Sequence, residues 1–143
     1  MTAYLLDVNV LLALHDRYHA HHVAAHRWFA DRGRNAWATC PLTENGFVRI
    51  ASQPSYPNPP GDTQAVLAGL RSFCASGGHR FWPDDVSLRD VLAPDAPATH
   101  RHVTDLYLLA LAARRGGWLA TFDGRIPTSA VAGGAGALEL IPA

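Results

Sequence analysis

Tyr4-Leu5-Leu6-Asp7-Val8-Asn9-Val10-Leu11-Leu12-Ala13-Leu14 opens the chain with an apolar run broken by one carboxylate and, two residues later, one amide. Residues 4–6 read as a short buried strand and residues 8–14 as the start of a helix packed on it. Asp7 then stands at the carboxyl end of the strand, the edge along which open α/β sheets hold their ligands. An ionised carboxylate is costly to bury without a partner, so an acid in so apolar a segment calls for a counterpart elsewhere in the chain.

Outward from this stretch, strand and helix patterns alternate. A helical pattern over residues 19–30 carries Val23, Ala24, Trp28 and Phe29 as an apolar stripe, and residues 31–35 read as a turn. Residues 36–40 form a second strand. Pro41 suits the start of a helix bearing Glu44, Phe47, Val48, Ile50 and Ala51. Prolines 54, 57, 59 and 60 mark a surface loop. Asp62 is a good N-cap for a helix with Val66, Leu67, Leu70 and Phe73 on one side, ended by Gly77-Gly78. Residues 80–83 are a weak third strand, Asp84 or Asp85 caps a short helix through Leu92, and residues 93–99 form a second Pro-rich loop. The clearest helix spans residues 103–115, with two arginines in its last turn and Gly116-Gly117 as its stop. Residues 118–121 make a fourth strand, Asp123-Gly124 a turn, and residues 138–141 a final strand. Such alternation predicts a mostly parallel sheet covered on both faces, with right-handed crossovers. There is no repeat or linker, so residues 1–143 are expected to form one domain.

The bulk composition excludes several classes. With 48% hydrophobic and 17% charged residues in 143, the chain can bury a real core and is not disordered. No apolar run is long enough to span a bilayer, and the N-terminal run lacks a basic n-region. A soluble, cytoplasmic protein is expected. Cys40 and Cys74 form no CxxC pair and suit a reducing compartment as two buried thiols. Formal net charge is zero, which does not announce a nucleic-acid binder. Every basic residue is arginine, an imbalance that a GC-rich genome explains as well as phosphate binding does.

Four acids take the same position relative to the sheet. Asp7 ends the first strand, Glu44 lies in the first turn after the second, Asp105 in the first turn of the long helix, and Asp123 just past the fourth strand. Helices in a parallel layer start at the carboxyl edge of the sheet, so all four fall on that edge. Singly, each has an ordinary explanation as a helix cap, a dipole partner or a turn residue. Jointly they do not, because two carboxylates about 4 Å apart repel by roughly 4 kcal/mol near a protein surface. A cation resolves the repulsion, and hard oxygen donors select Mg²⁺ or Mn²⁺ over zinc.

Three blocks carry a family resemblance: residues 5–13 (Leu-Leu-Asp-Val-Asn-Val-Leu-Leu-Ala), residues 42–47 (Leu-Thr-Glu-Asn-Gly-Phe), and residues 103–112 followed by 116–123, which end in Thr121-Phe122-Asp123. Together they resemble the PIN-domain nucleases, and among these the VapC toxins of bacterial toxin–antitoxin modules. The resemblance implies a three-layer α/β/α fold with parallel strands in order 3-2-1-4-5, and Mg²⁺- or Mn²⁺-dependent endoribonuclease activity. It also implies RNA as substrate, products with 5′-phosphate and 3′-hydroxyl ends, a VapB antitoxin as partner and a toxin homodimer. Asp7 and Asp105 are then expected as direct metal ligands, with Glu44 and Asp123 acting through water or orienting the attacking water. Asn9 and Thr121 flank the acids and could bond the carboxylates or the metal's waters. His102, three residues before Asp105, could orient that acid. Arg49 and Arg125 are candidate phosphate contacts, although a solvated arginine accounts for either.

His15, His19, His22 and His26 are spaced to share one helix face, which taken alone suggests zinc. Asp16-Arg17-Tyr18 is expected to bend the chain between the first two and separate the set, which favours RNA contact, dimer packing or plain exposure over structural zinc. Three other functions remain open: a PIN nuclease acting on DNA or in RNA processing, an inactive binding module that has kept the fold, and a small-molecule phosphatase. A dead module has no reason to keep a self-repelling cluster. The phosphatase of haloacid dehalogenase type needs an Asp where Asn9 stands.

Overall fold

Leu5 and Leu6 are both fully buried, yet they enter different apolar clusters on opposite faces of the sheet. A strand that is apolar on both sides needs cover on both sides, and the computed structural model, which describes residues 2–143, supplies it. In chain order the elements are β1 (Tyr4–Leu6), α1 (Val8–His15), α2 (His22–Trp28), β2 (Trp37–Thr39), α3 (Pro41–Ala51), α4 (Thr63–Cys74), β3 (His79–Phe81), α5 (Leu88–Val91), α6 (Val103–Arg114), β4 (Trp118–Thr121) and β5 (Leu138–Leu140). All strand pairs are parallel, in order β3-β2-β1-β4-β5. The expected strand order and α/β class are therefore present.

Side-chain alternation along the strands sorts the core. Leu5, Ala38 and Leu119 pack under α6, whose Leu106, Leu108, Leu109 and Leu111 are fully buried. Leu6, Trp37 and Ala120 pack on the other face, beneath α1, α2, α3 and α4. Gly117 lets β4 start close against β1, since a Cβ there would lie 2.3 Å from the Ala3 carbonyl oxygen. Among the described residues, no helix is long and apolar enough to cross a membrane.

Several boundaries differ from the sequence reading, each for a local reason. The helical stretch expected from residue 19 begins at His22, because the His19 ring accepts a bond from the His21 N–H (3.0 Å) and holds a turn there. Residues 29–33 widen into a π-helical turn where a plain turn over 31–35 is expected. Ser87, not Asp84 or Asp85, caps α5 by accepting from the Arg89 N–H. Asp84 instead accepts from the Leu42 N–H (3.0 Å), satisfying a free donor in the first turn of α3, and Asp85 pairs with Arg115 at 2.8 Å.

Candidate active site

Asp7 follows directly from its place between strand and helix. Its backbone is extended (φ −62°, ψ 156°) and one carboxylate oxygen accepts from the Val8 N–H at 2.7 Å, so it caps α1. The other oxygen accepts from the Thr121 hydroxyl at 2.7 Å. Thr121 is fully buried at the end of β4, and Asp7 is only 7% exposed. Burial raises the Asp7 pKa above its ordinary value against the pull of these two hydrogen bonds, and the Asp123 charge adds to the rise.

Asp105, in the first turn of α6, is half-buried beside these groups. Burial, then the charges of Asp7 and Asp123, push its carboxyl up to about 6. Asp123 goes the other way. The Arg125 N–H and guanidinium (2.9 and 3.1 Å to one oxygen) hold its pKa down, with a further small contribution from His102. Three aspartates from β1, α6 and β4 thus share one field at the carboxyl edge. Two of them, Asp7 and Asp105, hold their protons more tightly than an ordinary aspartate, and a nearby positive charge would relieve this.

Asn9 adds an independent sign. Its amide nitrogen donates to the Thr121 hydroxyl at 3.5 Å, while its Oδ1 is buried with no partner. An orphaned buried acceptor beside a carboxylate cluster suits a donor such as an ion-bound water. The donor set of three carboxylates and one amide oxygen, with no sulfur, fits Mg²⁺ or Mn²⁺.

Glu44 is not brought to this group. Its carboxylate accepts from the Thr39 hydroxyl at 2.6 Å and lies with Cys74 and His79, their donor atoms all within 4.8 Å of one another. The physical reason is strand alternation. Thr39 points with Trp37 toward the face of α3 and α4, whereas Thr121 points with Leu119 toward α6. Glu44 and the aspartates therefore share the sheet edge while their side chains lie on opposite faces. His102 bonds Thr99 (3.4 Å), not Asp105. Arg125 is 88% exposed and engaged with Asp123, and Arg49 is exposed on α3.

The histidine series serves α1. The His15, His22 and His26 rings bond the carbonyls of Leu11, Ala13 and Leu14 at 2.7–2.8 Å, and the Asp16 N–H takes that of Leu12. The carbonyls of Leu12, Ala13 and Leu14 lie in the last turn of the helix and otherwise lack partners, while the His15 ring adds a second bond to Leu11. The cluster of Glu44, Cys74 and His79, with its donor atoms within 4.8 Å of one another, involves none of these histidines. Sequence reading missed Cys74 and His79 as neighbours of Glu44. Their only linear signal is that they flank the Gly77-Gly78 turn between α4 and β3.

The PIN domain family model matches residues 4–131 of this chain. Ribonuclease VapC39 of Mycobacterium tuberculosis (strain ATCC 25618 / H37Rv) is 50% identical over 135 residues, covering 93% of this chain and 96% of the relative. Ribonuclease VapC38 of the same strain is 49% identical over 131 residues (88% and 89%), and Ribonuclease VapC44 is 44% identical over 131 (90% and 92%). The chain belongs to the PIN-domain family and, within it, to the VapC ribonuclease toxins. This family is typically metal-dependent.

Proposed function

We propose that the chain, acting as a single domain over residues 1–143, is a Mg²⁺- or Mn²⁺-dependent endoribonuclease that hydrolyses RNA phosphodiester bonds and is neutralised by a VapB-type antitoxin. The observation that carries this reading is the gathering of Asp7 and Asp123 about the Thr121 hydroxyl, close enough to Asp105 to push its carboxyl up, with the Oδ1 of Asn9, itself bonded to that hydroxyl, left without a partner. Asp7 and Asp105 would hold the ion directly. Asp123 and Glu44 act through water from either side of the sheet edge, with Glu44 turning away from Thr39 to do so. When bound, the ion neutralises charge on the scissile phosphate and lowers the pKa of the attacking water.

The remaining residues position these groups. Thr121 fixes the Asp7 carboxylate by donating to it and accepts the Asp123 N–H at 3.2 Å, tying two acids to one hydroxyl. Asn9 braces the same hydroxyl and presents Oδ1 to a water. Arg125 releases Asp123 to meet an RNA phosphate, and Arg49 offers a second phosphate contact from α3. Products carry 5′-phosphate and 3′-hydroxyl ends, so no histidine is needed to activate a ribose hydroxyl. Tyr18 and Val23, 68% and 67% exposed at the start of the α2 region, suit an apolar antitoxin helix. The toxin is expected to pair with a second copy of itself.

Cleavage of labelled single-stranded RNA and matched DNA with Mn²⁺, by wild type and Asp105→Asn, tests this reading. RNA cleavage that is lost in the folded variant and on adding EDTA is expected. Unchanged cleavage by Asp105→Asn would sink the site assignment, and preference for DNA would sink the substrate.

A further inference from the structure

Glu44, Cys74 and His79 come from three elements: the first turn of α3, the last residue of α4 and the first residue of β3. They supply one carboxylate oxygen, one sulfur and one imidazole nitrogen, all within 4.8 Å of one another, and each side chain is half-buried and so reachable from solvent. Donors of a tetrahedral zinc site stand about 3.3–3.8 Å apart, given bonds of about 2.0–2.3 Å. Modest side-chain contraction closes the set. We propose that these three residues form a second metal site, selective for a zinc-like transition ion, with its fourth position open to water.

The surroundings are built for this. The fully buried Thr39 donates its hydroxyl to Glu44 (2.6 Å) and bonds the His79 Nε2 (2.7 Å), so one hydroxyl gathers two of the three ligands. The Trp37 ring lies 4.7 Å from the His79 ring and fixes its plane. Outer groups of this kind orient metal ligands. The chemistry differs from the aspartate cluster on the opposite face. A thiolate and an imidazole select a borderline-soft ion, and all-oxygen donors select a hard one, so two different metals are sorted to the two faces.

Occupancy holds the Glu44 carboxylate on the face away from the aspartates. Resting on the proposed role of Glu44 in cleavage, zinc at this site withholds one acid from the nuclease centre and inhibits it.

The site itself is tested without any nuclease assay. The reduced, EDTA-treated full chain is titrated with Co²⁺ and followed by absorption. A first equivalent of Co²⁺ that brings a sulfur-to-cobalt charge-transfer band and tetrahedral ligand-field bands is expected. Cys74→Ser loses the charge-transfer band, Cys40→Ser keeps it, and Thr39→Val weakens binding about 10–100-fold. An octahedral spectrum without a sulfur band overturns the site, as does a band that survives Cys74→Ser or vanishes in Cys40→Ser. For the inhibition, Zn²⁺ in slight excess over protein is added to Mg²⁺-supported RNA cleavage. Wild type slows and Cys74→Ser does not; equal slowing of both places zinc at the aspartates and overturns the regulatory role. A cobalt spectrum as expected with no RNA cleavage by any form refutes the nuclease reading and leaves the metal site standing.

Discussion

At the scale of single residues, Asp105 makes the clearest quantitative statement. Its carboxyl is pushed up to about 6 from 3.8 by burial and by its two acidic neighbours. A raised acid binds its proton more tightly in the folded chain than in the unfolded one. Its contribution to stability is therefore fully present below about pH 4 and lost as pH rises through about 6. A shift of this size corresponds to about 3 kcal/mol at neutral pH. Because Asp105 is only half-buried, solvent screening reduces it to ~1 kcal/mol. Asp105→Asn should thus stabilise the metal-free protein by ~1 kcal/mol near pH 7.5, measured by urea unfolding in EDTA, and should give no gain near pH 3.5. A variant that is both inactive and more stable is the signature of a group kept for function at the expense of stability. Three of the four acids were legible as neighbours from sequence, because Asp7, Asp105 and Asp123 follow from where strands end and α6 begins. Glu44 was legible as to edge but not as to face. Its orientation depends on which way Thr39 points, and that is set by the alternation of a strand only three residues long.

At the scale of elements, the ends of α1 show how much of the histidine pattern is structural. The N-terminus is closed by Asp7. The C-terminal carbonyls of Leu12, Ala13 and Leu14 are closed by one backbone N–H and two imidazoles, and a third imidazole adds a second bond to Leu11. His22 and His26 reach back to α1 from α2, and their rings are 4.3 Å apart. His22→Ala and His26→Ala should each cost about 1 kcal/mol, the ordinary net value of such a bond. The double variant should depart from additivity because the rings touch; unfolding midpoints of the four proteins measure this. The histidine spacing was plain in the sequence, and the bend after α1 was expected. Its purpose was not legible, since capping across a bend depends on how α2 returns beside α1. Asp16 sets that return by accepting from the Tyr18 N–H (2.9 Å) and from the Tyr56 hydroxyl (2.7 Å), the latter contributed by the Pro-rich loop.

At the scale of the whole molecule, the sheet order places β1 and β4 side by side. Asp7 and Thr121 meet because the ends of those two strands are neighbours, and Leu6 stands opposite Ala120. That adjacency joins the chain's first strand to its fourth, across more than a hundred residues of sequence, through a single buried hydroxyl bond. Alternating strands and helices predicted the parallel sheet, while the order of its strands rested on family resemblance, since periodicity alone does not rank neighbours. The same long-range closure gives a global readout for metal. An ion held by Asp7 and Asp105, as proposed, would bridge β1 to α6 and bind only the folded chain, and so would stabilise it by mass action. At a concentration about a hundred times its dissociation constant the gain is ~2.7 kcal/mol, which for a domain of this size raises the unfolding midpoint by on the order of 10 °C. Removing repulsion among the three aspartates adds to this above pH 6, where Asp105 is ionised. Thermal unfolding with Mn²⁺ against EDTA should therefore show a shift that grows as pH rises from about 5 to 7.5 and collapses in Asp7→Asn. A shift of equal size in Asp7→Asn would mean that the stabilising ion sits elsewhere. Cys74→Ser should leave the Mn²⁺ response intact, because a hard ion has no use for the sulfur on the other face.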